Sequence, residues 1–334
     1  MNSFTDIGQF RNVVKAVREH HDYQGRDASN KPFFQHLSSY PTLTFRGTVK
    51  LNGTNSGIVK KIIAKDPLTY SFDFESRENI LSLEEDNYGF MKSMQSKDYE
   101  KLFNDISFNE TCAIFGEWCG QGIQKKVAIN QLPKMYVIFA VKIDNVYQDI
   151  TNFQHLKIED QQIYNIMQFP HFSMDIDFNN PELSQNKLVE LTQNVEKECP
   201  VGKYFGISDI GEGIVWEYID SDVRYIFKVK GEKHQNSKVK TLTTVDVEAI
   251  TNIKNFVEYA VTENRLMQGI DKMVELRKPI DQTSTADYLR WVYNDVIKEE
   301  GDTMIANKID PKKIGSAISA KARQFWLNYV NTHF

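Results

Sequence analysis

The sequence predicts an α+β protein: a domain of antiparallel sheets flanked by helices, followed by a small all-helical C-terminal domain. Three observations carry this prediction. Between about residues 40 and 230, short β-branched and aromatic runs recur, separated by Gly, Asn, Asp or charged residues. Helix-forming stretches are interspersed among them, which suits antiparallel sheets with flanking helices. Past residue 240 the runs give way to apolar residues at three- and four-residue spacing. A length of 334 residues suits two domains at roughly 150 residues each, and the change of texture places them at 1–240 and 241–334.

The elements follow in order. L-T-F-R-G-T-V-K-L (43–51) and G-I-V-K-K-I-I-A (57–64) read as strands around Asn52-Gly53. That pair tolerates φ > 0 and suits a β-hairpin or a strand-turn-strand. Further strands are expected at 70–74, 112–118, 135–143, 213–219 and 224–230, and helices around 91–103 and 183–198. Val247, Ile250, Ile253, Val257 and Ala260 describe one helical face. The stretches 285–300 and 315–330 behave similarly, with Thr283, Ser284 or Thr285 available as an N-cap.

Composition narrows the function classes. Hydrophobic residues are 41% and charged residues 25%, an ordinary globular balance. A net charge of −5 gives no bulk attraction to nucleic acid, so any such site has to be a local basic patch. Cys112, Cys119 and Cys199 show no metal-ligand spacing and no disulfide pattern. The polar N-terminus and the lack of ~18 consecutive apolar residues argue against secretion and a membrane span. A cytoplasmic protein is expected, a virus-infected cell being one setting, with no obligate protein partner and a monomeric state.

Several short stretches carry chemistry, each beside a plain structural alternative. Lys50 and Gly53 form KxxG, which is common because Gly is about 7% of residues; Lys203-Gly206 and Lys312-Gly315 repeat it. The longer K-L-N-G-T-N is far rarer, and a Lys amine beside a tight turn is a nucleophile once uncharged. In R-Y-I-F-K-V-K, alternation puts Tyr225, Phe227 and Val229 on one face and Ile226, Lys228 and Lys230 on the other. The two lysines then stand roughly 7 Å apart. They are either a solvated edge or a pair of cations that grip a polyphosphate and disfavour the ammonium form of a neighbouring Lys. Glu117 in F-G-E and Glu212 in G-E-G lie at strand ends, as turn residues or as ligands of a ribose hydroxyl or hydrated Mg²⁺. Phe139, in a buried aromatic strand, is either core or one wall of a purine slot.

The order of these pieces is more specific than any one of them. K-L-N-G-T-N, then S-R-E at 76–78, F-G-E-W-C-G-Q-G-I-Q-K-K-V at 115–127, an aromatic strand, E-G and K-V-K resembles the covalent nucleotidyltransferases, the ATP-dependent ligases and capping enzymes. The nearest likeness is to RNA ligases of the RNA ligase 2 type, known from bacteriophages, and it is weak in residues 1–40 and 145–200. The resemblance implies a nucleotidyltransferase (ATP-grasp-like ligase) domain and an ATP-dependent RNA ligase that joins a 3′-hydroxyl to a 5′-phosphate. It implies Lys50 as the nucleophile that takes AMP, with Leu51 and Asn55 beside the nucleotide and Arg77 touching it. It implies Glu117 on the ribose, Phe139 on adenine, Glu212 at a Mg²⁺ or Mn²⁺ site, and Lys228 with Lys230 on phosphates. Two departures stand out: Val49 replaces the acid that often precedes the nucleophile, and Ala140 follows Phe139 where the family has F-D-[IV].

The RNA ends, including those of a nicked duplex, are the implied partners, the helical domain helping to bind them through residues such as Lys312, Lys313, Lys321 and Arg323. Helices there favour an RNA ligase over a DNA ligase or a guanylyltransferase, which often carry an OB-fold instead. A non-catalytic RNA-binding protein of the same fold is the other alternative.

Overall fold

The computed structural model describes residues 4–124, 126–221, 223–234, 253–306 and 309–333. Its elements are α1 (Phe10–Asp22), β1 (Tyr23–Arg26), β2 (Pro32–Phe34), β3 (Thr42–Lys50), β4 (Gly53–Lys65), β5 (Leu68–Ser76), α2 (Phe90–Gln95), β6 (Thr111–Cys119), β7 (Met135–Ile143), β8 (Val146–Gln148), β9 (Ile163–Asn165), β10 (His171–Asp177), α3 (Gln185–Lys197), α4 (Pro200–Tyr204), β11 (Gly213–Asp220), β12 (Val223–Lys230), α5 (Ile253–Ala260), α6 (Glu263–Glu275), α7 (Thr285–Ala306) and α8 (Pro311–His333). The chain divides into two compact units, residues 1–8 with 12–231 and residues 9–11 with 232–334. The expected boundary near 240 and the positions Val247 and Ile250 lie outside the described residues.

The first unit is the α+β domain. Its four-stranded sheet runs β10-β3-β11-β12 and its larger sheet β5-β4-β6-β7-β8, with β9 joining β7 in parallel and every other pairing antiparallel. One face of the four-stranded sheet is core: Phe45, Val49, Ile214, Trp216 and Phe227 are buried there. Alternation sends Arg46, Thr48 and Lys50 of β3, Val215 and Glu217 of β11, and Ile226, Lys228 and Lys230 of β12 to the opposite face. Gly47 sits under Trp216; a Cβ there would come 2.8 Å from the indole ring, so only glycine lets the ring lie flat on the strand.

Asn52-Gly53 does not close a hairpin. β3 pairs with β10 and β11, whereas β4 pairs with β5 and β6, so the chain crosses from one sheet to the other at this point. Neither residue is among those with positive φ. Gly53 is needed for close approach instead: a Cβ would fall 2.4 Å from the carbonyl oxygen of Trp118 on β6. Also present beyond the expected elements are α1, the exposed β1–β2 ribbon and β10, whose polar H-F-S-M-D-I-D gives a weak strand signal.

The second unit packs α5 to α8 around a core of their own. Four-residue spacing sets the buried stripes, with Tyr288, Val292 and Val296 on α7 and Ile314, Ile318, Ala322, Trp326 and Val330 on α8. Val257 and Ala260 of the expected α5 face are buried in that core. The approach to α7 is capped by Asp281, which accepts from the Thr283 amide at 2.8 Å before a short 3₁₀ turn; the expected Ser/Thr N-cap is displaced upstream. No helix among the described residues is long and apolar enough to cross a membrane.

Candidate active site

Lys50 is the last residue of β3, at the crossover between the two sheets. On β11, Gly213 stands in register with both Lys50 of β3 and Lys230 of β12. With no side chain at Gly213, the two lysines converge on the residue before it, Glu212. The Lys50 Nζ lies 2.6 Å from Glu212 Oε2, and the Lys230 Nζ lies 3.0 Å from Oε1. Glu212 and Lys230 are nearly sealed from water, and a fifth of the Lys50 side chain remains exposed. Lys228 is two residues from Lys230 on the same face. The sequence led to expecting Glu212 at a metal site and Lys228 with Lys230 on phosphates; the structure adds that the Glu212 carboxylate pairs directly with both Lys50 and Lys230.

The electrostatics follow from that placement. Burial alone would raise the Glu212 carboxyl, but Lys50 and Lys230 outweigh it and hold the group down at about 2. Lys230 is lowered, first by desolvation and then by Lys50 and Lys228, against the opposing pull of Glu212. Glu117, across the cleft on β6, is pushed up to about 7 by desolvation, assisted by Glu212 and resisted by Lys50 and Arg77. Together with the direct contacts of Lys50 and Lys230 to Glu212, these mutual influences put Lys50, Arg77, Glu117, Glu212, Lys228 and Lys230 in one neighbourhood, where the two sheets meet.

The opposite wall is one face of the larger sheet. Asn55 of β4 is in register with Glu117, and Gly57 is in register with both Phe115 and Glu75, so these residues share a face. Glu117 Oε1 accepts from the Gly53 amide at 3.0 Å, tying the wall to the crossover. Leu51 is buried within the crossover itself. Arg77 follows the end of β5, with Asp6 3.9 Å away. Phe139 reaches this face through a β-bulge: Phe115 opposes Ala140 while Gly116 opposes Ile138, leaving Phe139 as the extra residue. It packs half-buried with Phe115, Ala140 and Phe4.

The strands thus bring together all the residues expected at the site. Two groups were missed. Glu75 is a fully buried carboxylate on the same face, legible only as the acid two residues before Arg77 in an alternating strand. Arg46 pairs with Glu217 at 3.4 Å and Asp149 at 2.9 Å, and Glu217 pairs with Arg224 at 2.7 Å, a network whose members lie too far apart in sequence to be linked by pattern. Four cations, Lys50, Arg77, Lys228 and Lys230, gather here with the carboxylates Glu75, Glu117 and Glu212; such a local concentration of positive charge, in a chain of net charge −5, suits a bound polyanion.

Residues 43–230, more than half the chain, match the family model described as RNA ligase. The chain belongs to the RNA ligase family. The match spans the strand of Lys50 through the strand of Lys230, and so contains all the residues described in this subsection except Asp6 and Phe4. Among solved structures, a Naegleria gruberi RNA ligase with PPi is 15% identical with a TM-score of 0.44; the alignment covers 69% of this chain and 56% of that one. An archaeal ATP-dependent RNA ligase is 10% identical with a TM-score of 0.43, covering 98% of this chain and 64% of that one. The chain thus spans less than two thirds of either protein. No curated protein matches the sequence.

Proposed function

We propose that this protein is an ATP-dependent RNA ligase, which joins an RNA 3′-hydroxyl to a 5′-phosphate through a lysyl-AMP at Lys50 and an RNA-adenylate, in RNA repair or nick sealing. The observation that carries the reading is the convergence of Lys50 and Lys230 on Glu212, facing Glu117, Asn55 and Arg77. RNA ligase family membership supports the substrate class. The RNA ligase 2 subtype belongs to the same proposal, with the ends of a nicked duplex as one form of substrate, as do roles for the helical residues Lys312, Lys313 and Arg323 on the RNA backbone. Lys321 is paired with Glu258 at 2.9 Å and has to exchange that partner to take part.

In the first step Lys50 leaves Glu212, gives up a proton, and its amine attacks the α-phosphorus of ATP. An N–P bond forms, the α–β anhydride bond breaks, and pyrophosphate departs. Lys228 and Lys230 neutralise charge on the phosphates, and Glu212 restrains the free Lys50 before attack. Phe139 stacks on adenine, Glu117 accepts from the ribose and Asn55 and Arg77 border the phosphate. In the second step an oxygen of the RNA 5′-phosphate takes the AMP; the N–P bond breaks and a proton returns to Lys50. In the third the RNA 3′-hydroxyl attacks that phosphate, loses its proton, and AMP leaves.

The donor set suits a hydrated divalent cation brought in with the triphosphate. Glu212 and Glu117 present carboxylates close enough to perturb each other, and no cluster of three or more His, Cys, Asp or Glu fit to hold a metal occurs among the described residues. Mg²⁺ is commonly bound in this manner, by one or two carboxylates, phosphate oxygens and water. Glu212 is the residue that would hold Mg²⁺ or Mn²⁺, whose chemistry is to offset phosphate charge.

The deciding test is incubation with α-labelled ATP and Mg²⁺, denaturation, and peptide mapping, followed by sealing of labelled nicked RNA. Label at Lys50 and faster sealing of RNA than DNA are expected. Label from GTP alone would favour a guanylyltransferase, and no label a non-catalytic protein. Glu212→Gln is expected to slow labelling by roughly 10²-fold, the scale of one preorganised electrostatic contact; an unchanged rate would remove Glu212 from the reaction.

Glu117 gives a pH signature. Its carboxyl sits at about 7, so it protonates as the pH falls through neutrality and loses its capacity as a charged acceptor. The KM for ATP is expected to rise below pH 7, by up to about tenfold per pH unit. Glu117→Gln should show a raised KM without that inflection; an inflection that persists in the variant assigns it to another group.

A further inference from the structure

Residues 4–8 lie outside the RNA ligase family match, which begins at residue 43, yet they reach the cleft. Gly8 makes a parallel bridge to Phe227 on β12, and its carbonyl accepts from the Lys228 amide at 3.0 Å. The Thr5 amide donates to the Tyr147 hydroxyl at 3.1 Å, and Arg224 Nη1 donates to Thr5 Oγ1 at 3.1 Å. These bonds hold an extended peptide between the faces of the two sheets.

Phe4 is the end of that peptide and only 5% exposed. Its ring meets Phe139 edge-on, with centroids 5.0 Å apart and planes at 72°. Phe115 lies 5.6 Å away and Tyr147 5.7 Å away. The Arg224 guanidinium covers both Tyr147, at 3.9 Å, and Phe4, at 5.0 Å, and Glu217 holds Arg224 at 2.7 Å. Phe139 itself sits at the bulge of β7, where the ladder is interrupted and fixes its side chain least. It is half-buried, whereas its strand neighbours Ile138 and Ala140 are buried.

We infer that Phe4 is a positioning residue for the nucleotide: the N-terminal strand braces one edge of Phe139 so that its ring is already aligned for stacking on a purine. Edge-to-face pairs have defined geometry, and a binding group is effective when its own orientation is locked by the residues behind it. Removal of the Phe4 ring lets Phe139 turn into the vacated space, and stacking energy is then spent on ordering it. This inference rests on the ATP-dependent reading above, and deepens it by bringing residues outside the family match into the nucleotide site.

The test is steady-state and single-turnover lysyl-AMP formation by the full chain at varied ATP. Phe4→Ala is expected to raise KM for ATP roughly tenfold, within the range of a base–aromatic stack, while the limiting rate changes less than twofold. Phe4→Leu, which refills most of the volume, should recover folding but only part of the KM. In a Phe139→Ala background, Phe4→Ala is expected to add nothing to KM, because the brace then has nothing to orient. An unchanged KM in Phe4→Ala or Phe4→Leu, or an equal KM increase with and without Phe139, overturns the inference while leaving the ligase reading intact. No label on the wild-type chain overturns both.

Discussion

Lys50→Ala is expected to leave no covalent nucleotide on the polypeptide and to reduce sealing of 5′-phosphate RNA to background. Among the described residues no other amine has the same relation to Glu212: Lys230 also pairs with it but is more enclosed, 10% exposed against 20% for Lys50. The sharper form of the prediction separates the steps. In the proposed mechanism Lys50 is the leaving group of the second step and no reactant in the third, so an RNA already carrying AMP on its 5′-phosphate should still be sealed by Lys50→Ala. Lys50→Arg supplies the structural control, since a guanidinium keeps the ion pair with Glu212 but cannot deprotonate to attack. It should keep the wild-type unfolding midpoint and give no label. Persistent label in Lys50→Ala would falsify the assignment of the nucleophile. The alanine variant also changes acid stability. Glu212 is depressed to about 2 in the fold, so its contribution is full above its ordinary value of 4.5 and is lost as the pH falls toward 2. With only Lys230 left as a close partner the depression shrinks, and acid unfolding should begin at a higher pH.

The site was legible in sequence wherever its geometry is local. Strict alternation in R-Y-I-F-K-V-K fixed the common face of Lys228 and Lys230, because a strand has no freedom to place neighbours i and i+2 on different sides. Asn52-Gly53 misled for a related reason: turn preference describes the bend but not the partners of the strands it joins. β3 and β4 turn away from each other into different sheets, so the residues around the turn became the hinge of a cleft instead of a hairpin tip. Phe139 was placed on the right strand, but its face depends on a bulge that no alternation rule anticipates. The meeting of Lys50, Lys230 and Glu212 depends on Gly213, whose part is visible only when β11 is known to lie between β3 and β12. Phe4 was out of reach altogether, since its partners Phe115, Phe139 and Tyr147 are more than a hundred residues away.

The helical unit offers the second large effect, Arg265→Ala. Arg265 is fully buried on α6 and faces three acids of α7: Nε is 2.7 Å from Asp295, and Nη2 is 3.1 Å from Glu299 and 3.6 Å from Glu300. Desolvation works against its charge, yet Asp295, Glu300 and Glu299 together raise its affinity for the proton above the ordinary value. Its Nη1 also donates to the Ala260 carbonyl at the end of α5, so one guanidinium joins three helices. Asp295 and Glu299 keep some access to water, whereas Glu300 is 1% exposed, receiving hydrogen bonds from the Tyr259 hydroxyl at 2.9 Å and Thr303 at 3.2 Å. Removing the arginine leaves Glu300 with Arg11, 3.5 Å away, as its remaining cationic partner, and breaking a buried pair costs up to about 3–5 kcal/mol. Hydrogen exchange on the full chain should therefore show α6 and α7 amides losing protection by about 10²- to 10³-fold, at roughly 1.4 kcal/mol per tenfold. Arg265→Lys keeps the charge but not the planar fork, and an intermediate loss is expected. The double variant Arg265→Met with Glu300→Gln removes the buried carboxylate charge along with its partner and should recover much of the deficit. Losses that simply add in the double variant would mean that Arg265 acts by filling space, and that the ionic joint between α5, α6 and α7 contributes little.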